Sequence, residues 1–171
     1  MAASLNRPQL VAVDANVLFD LADGLEDVVD ALSVIRGRLC DARFLLSPTV
    51  QHELANWALR GEGQKRESAR QAIRLAQSWR ILPANLLAVR HGIAERIAER
   101  IRERGLIAEE EVNDSLVLAE SALLGCSLLL SNDEHLRGID FERLTLEMQA
   151  FDVSAPVIAT PREIVRKFFQ R

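Results

Sequence analysis

The chain has 171 residues, of which 49% are hydrophobic and 27% are charged, and its formal net charge at pH 7 is -4. This length is sufficient for one buried core, and no low-complexity or Pro/Gly/Ser-rich segment predicts a linker, so we expect a single domain over residues 1–171. No apolar run is long enough to span a membrane and the start of the sequence lacks the apolar core of a signal peptide, which predicts a cytoplasmic protein.

The first predicted strand is followed directly by an acid. The run Leu10–Val13 is apolar without alternation, as is typical of a strand buried on both faces of a parallel sheet. Asp14 then stands at the carboxyl edge of that sheet, where open α/β sheets place their ligand sites. Two helical segments are predicted after it, at 15–20 and 25–36.

A second strand, predicted at 44–46, leads into a helix that carries the next acid. Ser47 and Pro48 form a typical helix start, with a capping hydroxyl before a proline at the first helical position. The helix places Glu53 in its second turn. A second acid is therefore expected near the start of a helix that follows a strand.

The central segment is helical and basic. Helices are predicted at 67–79 and 84–104, and residues 60–104 carry eleven basic and five acidic side chains, a net charge of +6, whereas the remainder carries -10. Such a distribution suits a polyanion held near an acidic pocket, with Arg96 and Arg100 as phosphate contacts. The alternative is a pair of solvated amphipathic helices with intrahelical ion pairs.

One apolar stripe on the second of these helices has two interpretations. Its members recur every four residues: Ile93, Ile97 and Ile101. A stripe that faces the core of this chain is the expected explanation. A stripe left uncovered would instead form an interface for another protein.

Two more acids follow in the last third of the chain. A helix is predicted at 109–124, with Asp114 in its opening turns, and Ser127–Leu130 is predicted as a buried strand. The polar residues Ser131 and Asp133 lie just past the end of that strand. They are therefore expected at the same sheet edge as the first acid.

The end of the chain completes an alternating pattern. Residues 140–151 alternate like a strand but begin with Asp140, a good capping residue, and we favour a helix there. A short strand is predicted at 157–159 and a helix from Thr160 onward, with proline in its first turn. Strands that alternate with helices predict an α/β fold, a three-layer sandwich around a parallel sheet.

Four acids are thus expected near one edge of the sheet: Asp14, Glu53, Asp114 and Asp133. Each has an ordinary explanation by itself, since acids accept hydrogen bonds from backbone amides and favour helix starts. Gathering all four is costly, because one like-charge pair at about 5 Å and an effective dielectric of about 20 repels by roughly 3 kcal/mol. A divalent cation relieves this repulsion, and oxygen ligands favour Mg²⁺ or Mn²⁺.

Cysteines and histidines predict no competing metal site. Cys40 and Cys126 follow no metal-binding spacing and are expected to be free buried thiols. The histidines stand far apart in the sequence, which disfavours zinc: His52, His91 and His135. Divalent ions held by carboxylates activate water and stabilise charge on a phosphodiester, so phosphodiester hydrolysis is the expected chemistry.

The acids and their settings resemble the PIN domain family of metal-dependent nucleases. The family's pattern begins with a strand that ends in D-x-N or D-x-S, matched by Asp14-Ala15-Asn16. An acid on the helix after the second strand is matched by Glu53, and an acid that opens the helix before a buried strand is matched by Asp114. A closing T-x-D or S-x-D is matched by Ser131-Asn132-Asp133. The resemblance covers nearly the whole chain and ends with the segment VIATPREIV.

The resemblance implies a PIN-like three-layer α/β/α sandwich with a central parallel sheet. It also implies that the four acids bind one or two Mg²⁺ or Mn²⁺ ions and position a water nucleophile, while Asn16 and Ser131 orient the carboxylates. The chain departs from the small toxins of the family in a helical basic insertion around residues 60–105. This insertion is expected to clamp RNA or to accept a partner protein.

The function implied is that of an endoribonuclease that hydrolyses RNA phosphodiester bonds, of the kind that serves as the toxin of a toxin–antitoxin pair. The implied partners are RNA, an antitoxin-like protein and a second copy of the chain in a homodimer. Two alternatives stay open. One is a DNA nuclease or RNA-processing factor of the same fold, and the other is a catalytically silent PIN-fold module that binds RNA or protein. The complete set of acids disfavours the silent module.

Overall fold

A computed structural model describes residues 8–39 and 41–169. Five strands lie within these residues: β1 (Leu10–Val13), β2 (Arg43–Leu46), β3 (Leu82–Pro83), β4 (Leu128–Leu130) and β5 (Val157–Ala159). The helices there are α1 (Ala15–Ala22), α2 (Glu26–Arg38), α3 (Pro48–Arg60), α4 (Gly63–Ser78), α5 (Ala88–Glu103), α6 (Val112–Leu123), α7 (Glu134–Arg137), α8 (Phe141–Gln149) and α9 (Pro161–Phe169). No helix in the described ranges is both long and apolar enough to cross a membrane.

The strands form one parallel sheet in the order β3-β2-β1-β4-β5. Strand β1 lies at its centre, and the side chains of Val11, Ala12 and Val13 are at most 1% exposed. Helices cover the sheet, so the central strand needs no polar face, which explains its uninterrupted apolar run. The predicted α/β/α sandwich with a central parallel sheet is confirmed.

Strand β3 is not predicted from the sequence, which places only two helices here, at 67–79 and 84–104. Leu82 and Pro83 pair with Leu45 and Leu46 of β2 at the edge of the sheet. A two-residue strand has no periodic pattern to detect, and proline is tolerated only at such edges because it lacks an N–H for the ladder. Four predicted strands therefore become five in the described part of the chain.

The ambiguous segment at 140–151 contains helix α8, as predicted. The Oδ1 atom of Asp140 accepts hydrogen bonds from the backbone N–H groups of Glu142 at 3.0 Å and Arg143 at 3.1 Å. Leu144 and Met148, four residues apart, are both buried. Capping and helical burial together outweigh the apparent alternation of the sequence.

The isoleucine stripe faces the core. Helix α5 packs on α6, and the side chains of Ile97 and Ile101 are 1% and 0% exposed. Ile93 is partly buried and packs against the same core. The core interpretation is confirmed, and the interpretation of the stripe as an uncovered interface is wrong.

One of the two cysteines lies where its thiol can be assessed. Cys126 is a buried free thiol, as predicted, and burial raises its pKa to about 12, which keeps it protonated and unreactive at neutral pH. Cys40 lies outside the described residues.

Candidate functional site

Asp14 is the most buried of the four acids, with 5% of its surface exposed. It follows β1 and begins α1, where its Oδ1 atom accepts a hydrogen bond from the N–H of Ala15 at 2.7 Å. Its Oδ2 atom accepts from the hydroxyl of Ser131 at 2.7 Å and from the side-chain amide of Asn16 at 3.0 Å. The carboxylate is therefore held in one orientation at the carboxyl edge of the central strand.

Ser131 and Asn16 join the ends of β1 and β4. The Ser131 hydroxyl donates to Asp14 and accepts from the Asn16 amide at 3.2 Å and from the N–H of Asp133 at 3.0 Å. The Oδ1 atom of Asn16 accepts from the N–H of Asn132 at 3.0 Å, which fixes the orientation of its amide. Both side chains thus contact Asp14 directly, as an orienting role requires.

Asp133 begins helix α7. Its Oδ1 atom accepts hydrogen bonds from the N–H of His135 at 2.7 Å and from the N–H of Leu136 at 3.3 Å. This capping accounts for an acid at this position on structural grounds alone. The charge of Asp133 also affects Asp14. Burial raises the pKa of Asp14, and the negative charge of Asp133 raises it further.

Glu53 and Asp114 approach the same region from α3 and α6. Burial and the charges of Asp133 and Asp14 raise the pKa of Asp114 to about 7. Burial raises the pKa of Glu53, and the charge of Asp14 adds to this effect. The charge of Asp14 therefore acts on both Glu53 and Asp114, and the charge of Asp133 acts on Asp114, in the region at the carboxyl edge of the sheet.

The donor chemistry of this region fits a hard divalent cation. In the part of the chain that the structure describes, no three His, Cys, Asp or Glu side chains already stand in positions that could hold a metal ion. The site nevertheless offers carboxylate, amide and hydroxyl oxygens, which Mg²⁺ and Mn²⁺ prefer. Burial also raises the pKa of Asp14, so its negative charge lacks full compensation, which a cation would supply. Binding an ion would require the partly exposed carboxylates to turn toward Asp14.

The raised pKa of Asp114 predicts a pH-dependent stability. The ordinary pKa of this group is 3.8 and its folded value is about 7, so as pH rises the unfolded chain loses this proton first. The free energy of unfolding of the metal-free protein should therefore fall between about pH 4 and pH 7, and Asp114→Asn should remove this part of the decline. Urea denaturation in chelator at pH 4, 5.5 and 8 measures it. The exposed Asp30→Asn should keep the parent's pH dependence, and parallel curves for Asp114→Asn and parent would contradict the assignment.

Glu120 is a buried acid that the sequence analysis does not single out. It is 4% exposed on α6, and its carboxylate accepts hydrogen bonds from the N–H of Thr49 at 2.9 Å and from the hydroxyl of Thr49 at 2.8 Å. Ser47, predicted to cap α3, makes no capping side-chain bond, and its buried Oγ has no partner among the described residues. Glu120 thus satisfies the first turn of the helix that carries Glu53. The sequence signal is an acid inside the apolar run LVLAESALL.

The predicted phosphate contacts Arg96 and Arg100 lie on α5, beyond direct contact with the acids. Another basic residue of α5, Arg102, donates from its guanidinium to the hydroxyl of Ser115, the residue after Asp114. The sequence alone counts Arg102 among the basic residues and assigns it no role. The basic end of α5 therefore lies beside the acidic start of α6.

Solved structures share the fold at low sequence identity. The crystal structure of VapBC2 from Rickettsia felis bound to a DNA fragment from their promoter matches with a TM-score of 0.61 and 12% identity, and the match covers 89% of this chain and 98% of that chain. The structure of VapBC-1 from nontypeable Haemophilus influenzae matches with a TM-score of 0.58 and 12% identity, covering 90% of this chain and 98% of that chain. At such identity the likeness shows the fold alone. A comparison with curated protein sequences gave no significant match.

A family model gives the family. The model described as PIN domain matches residues 11–142, which is more than half of the chain. The matched range contains the four acids and both side chains that contact the carboxylate of Asp14. The chain therefore belongs to the PIN domain family, whose members are nucleases.

Proposed function

We propose that this protein is a metal-dependent endoribonuclease that hydrolyses RNA phosphodiester bonds with Mg²⁺ or Mn²⁺. The observation that carries the proposal is the buried carboxylate of Asp14, held by Asn16 and Ser131 beside the charges of the other acids. PIN domain nucleases typically use divalent metal ions, and the oxygen donors of this site suit them. Such an ion lowers the pKa of a bound water and offsets the charge that develops on the phosphodiester.

In this proposal one or two ions are held by four carboxylates: Asp14, Glu53, Asp114 and Asp133. Asp14 is the fixed member of the set, because its two oxygens together accept three hydrogen bonds. Its Oδ1 atom accepts only one of these bonds and keeps lone-pair capacity for an ion. The other three carboxylates are partly exposed, and Asp133 is held through one oxygen by the start of α7, so its second oxygen and the carboxylates of Glu53 and Asp114 would adjust to the cation.

One experiment tests the reaction. Labelled RNA and DNA of the same sequence are incubated with the protein in Mn²⁺, in Mg²⁺ or in chelator, and the products are separated by length. We expect internal cleavage of RNA that requires either ion. Cleavage of DNA alone would indicate a DNA nuclease, and tight binding without cleavage in either ion would indicate a silent binding module.

The basic face of α5 is proposed to contact RNA phosphates. Arg96→Ala should weaken binding across RNA sequences and lower the slope of log affinity against log salt by about 1 for each phosphate that is no longer bound. Arg100→Ala should have a smaller effect, because Nε of Arg100 lies 2.8 Å from Oε2 of Glu147. Fluorescence anisotropy of labelled RNA at several salt concentrations measures both. Arg38→Ala, which removes an exposed arginine of α2, is the control. If Arg96→Ala binds like the parent at every salt concentration, α5 does not contact RNA.

We also propose that the protein acts as the toxin of a toxin–antitoxin pair and binds an antitoxin-like protein. The support is the fold shared with the two VapBC structures. Expression of the active chain by itself should arrest growth of the host, and the Asp14→Asn variant at equal abundance should not. Normal growth with active enzyme present would favour an RNA-processing role.

A further inference from the structure

Trp57 and Lys65 form a pair beside Glu53 that has no role in the proposed reaction. Trp57 lies one helical turn after Glu53 on α3, and residues four apart on a helix are neighbours on the same face. Nζ of Lys65, from the first turn of α4, lies 3.3 Å from the centroid of the Trp57 ring. A cation and an aromatic ring therefore stand together at the border of the acidic site.

A tight turn between α3 and α4 holds this pair in register. Gly61 is buried there, and a Cβ atom at this position would clash with the backbone oxygen of Trp57 and lie 3.3 Å from its ring. Nε of Arg66 donates to the carbonyl oxygen of Gly61 at 2.6 Å. The turn admits only glycine at this close approach, so the backbone brings the start of α4, with Lys65, close to the Trp57 ring.

The charge of Lys65 acts on the acidic site. Burial and the charge of Asp14 raise the pKa of Glu53, whereas the positive charge of Lys65 lowers it. Lys65 is exposed and Trp57 only partly buried. An exposed lysine adds little to a core, and an exposed cation–π contact is weak, about 0.5–1 kcal/mol. The ammonium can therefore leave the ring at small cost.

We propose that Trp57 and Lys65 bind a nucleotide adjoining the bond to be cleaved in a single-stranded nucleic acid. The indole ring stacks on the nucleobase after Lys65 moves aside, and the Lys65 ammonium then contacts the phosphate of the same nucleotide. A duplex offers no unstacked base for this contact. The inference rests on the proposed nuclease function for the position of the bond, while the binding itself is separately measurable.

Binding is measured on intact oligonucleotide. All proteins in this assay carry Asp14→Asn to prevent cleavage, and single-stranded RNA and the matching duplex are titrated in Mg²⁺. Trp57→Leu should weaken single-strand binding about 10-fold, because stacking contributes on the order of this factor per base, and Trp57→Phe should largely retain it. Lys65→Gln should weaken binding and lower its salt dependence, and Lys65→Arg should retain both. The control Arg70→Gln removes an exposed cation of the same helix that lies near Glu67.

A second measurement, of tryptophan fluorescence, leaves both Trp57 and Lys65 in place. The chain has two tryptophans, Trp57 and Trp79, so Trp79→Phe leaves Trp57 as the only indole fluorophore. Single-stranded RNA should quench its fluorescence, and the duplex should not. This readout also covers the case in which Trp57→Leu fails to fold.

The outcomes separate this inference from the proposed function. If the protein with intact Asp14 cleaves RNA while Trp57 fluorescence is unchanged by single strands and the Lys65 variants bind alike, the inference is wrong and the nuclease proposal stands. If no nucleic acid is cleaved but single strands quench Trp57, the nuclease proposal fails and the binding inference stands. Equal quenching by duplex and single strand would overturn the stacking contact.

Discussion

Replacing Asp14 with asparagine should reduce RNA cleavage by at least about 100-fold, because loss of a metal ligand should exceed the 10- to 100-fold cost of disturbing the contacts around one. Mn²⁺ binding, measured by calorimetry, should weaken in parallel. The fold should survive, since the amide removes a buried charge while Ser131 and Asn16 can reorganise around it. Asp133→Asn should have the same effect on cleavage.

The matched control is Asp30→Asn, an equal loss of charge at an exposed position of α2. It should cleave RNA and bind Mn²⁺ like the parent. Circular dichroism of each variant checks that the fold is intact. If Asp14→Asn and Asp133→Asn both cleave at the parent rate, the assignment of the acidic site is wrong.

Ile97→Asp should unfold the protein. The side chain of Ile97 is 1% exposed between α5 and the core, so aspartate would place a charge without a partner in an apolar interior. We expect a loss of at least about 4 kcal/mol in the free energy of unfolding, which is comparable to the whole stability of a marginal domain. Circular dichroism and urea denaturation measure the loss.

Two substitutions calibrate this result. Ile97→Val keeps an apolar side chain and should cost about 0.5–1.5 kcal/mol. Val89→Asp introduces the same charge on the same helix, but at a position that is 70% exposed, and should leave the stability nearly unchanged. An Ile97→Asp variant that stays folded with the stability of the parent would mean that this stripe is not part of the core.

Local patterns in the sequence predict most of the elements. The apolar run of β1, the Ser47-Pro48 start of α3 and the capping position of Asp140 each depend on neighbours within a few residues, and each element lies where it is predicted. Strand β3 escapes prediction because two residues at a sheet edge carry no period. The cap of α3 is predicted at Ser47, although the acceptor is Glu120, far along the chain.

For the charged residues too, contacts between distant parts of the chain are not predicted by local sequence patterns. Glutamates that stand near arginines in the sequence suggest ion pairs within α5. Instead, the Nε atoms of Arg100 and Arg104 lie 2.8 Å and 3.4 Å from the carboxylate oxygens of Glu147 on α8. The packing of α5 beside α8 decides this pairing. Likewise, the position of Lys65 over Trp57 depends on the turn between α3 and α4, and the number of charges in the sequence does not predict it.

By itself, the sequence determined that the chain forms a parallel α/β sheet and that acids follow its strands or begin its helices, because apolar runs, caps and breaks act over a few residues. Only the tertiary structure decided that the charge of Asp14 acts on Glu53 and Asp114, that the charge of Asp133 acts on Asp14 and Asp114, and that Asn16 and Ser131 hold the carboxylate of Asp14. The physical reason is strand order: β1 and β4 are distant in sequence but adjacent in the sheet, so the residues that follow them become neighbours only when the sheet forms.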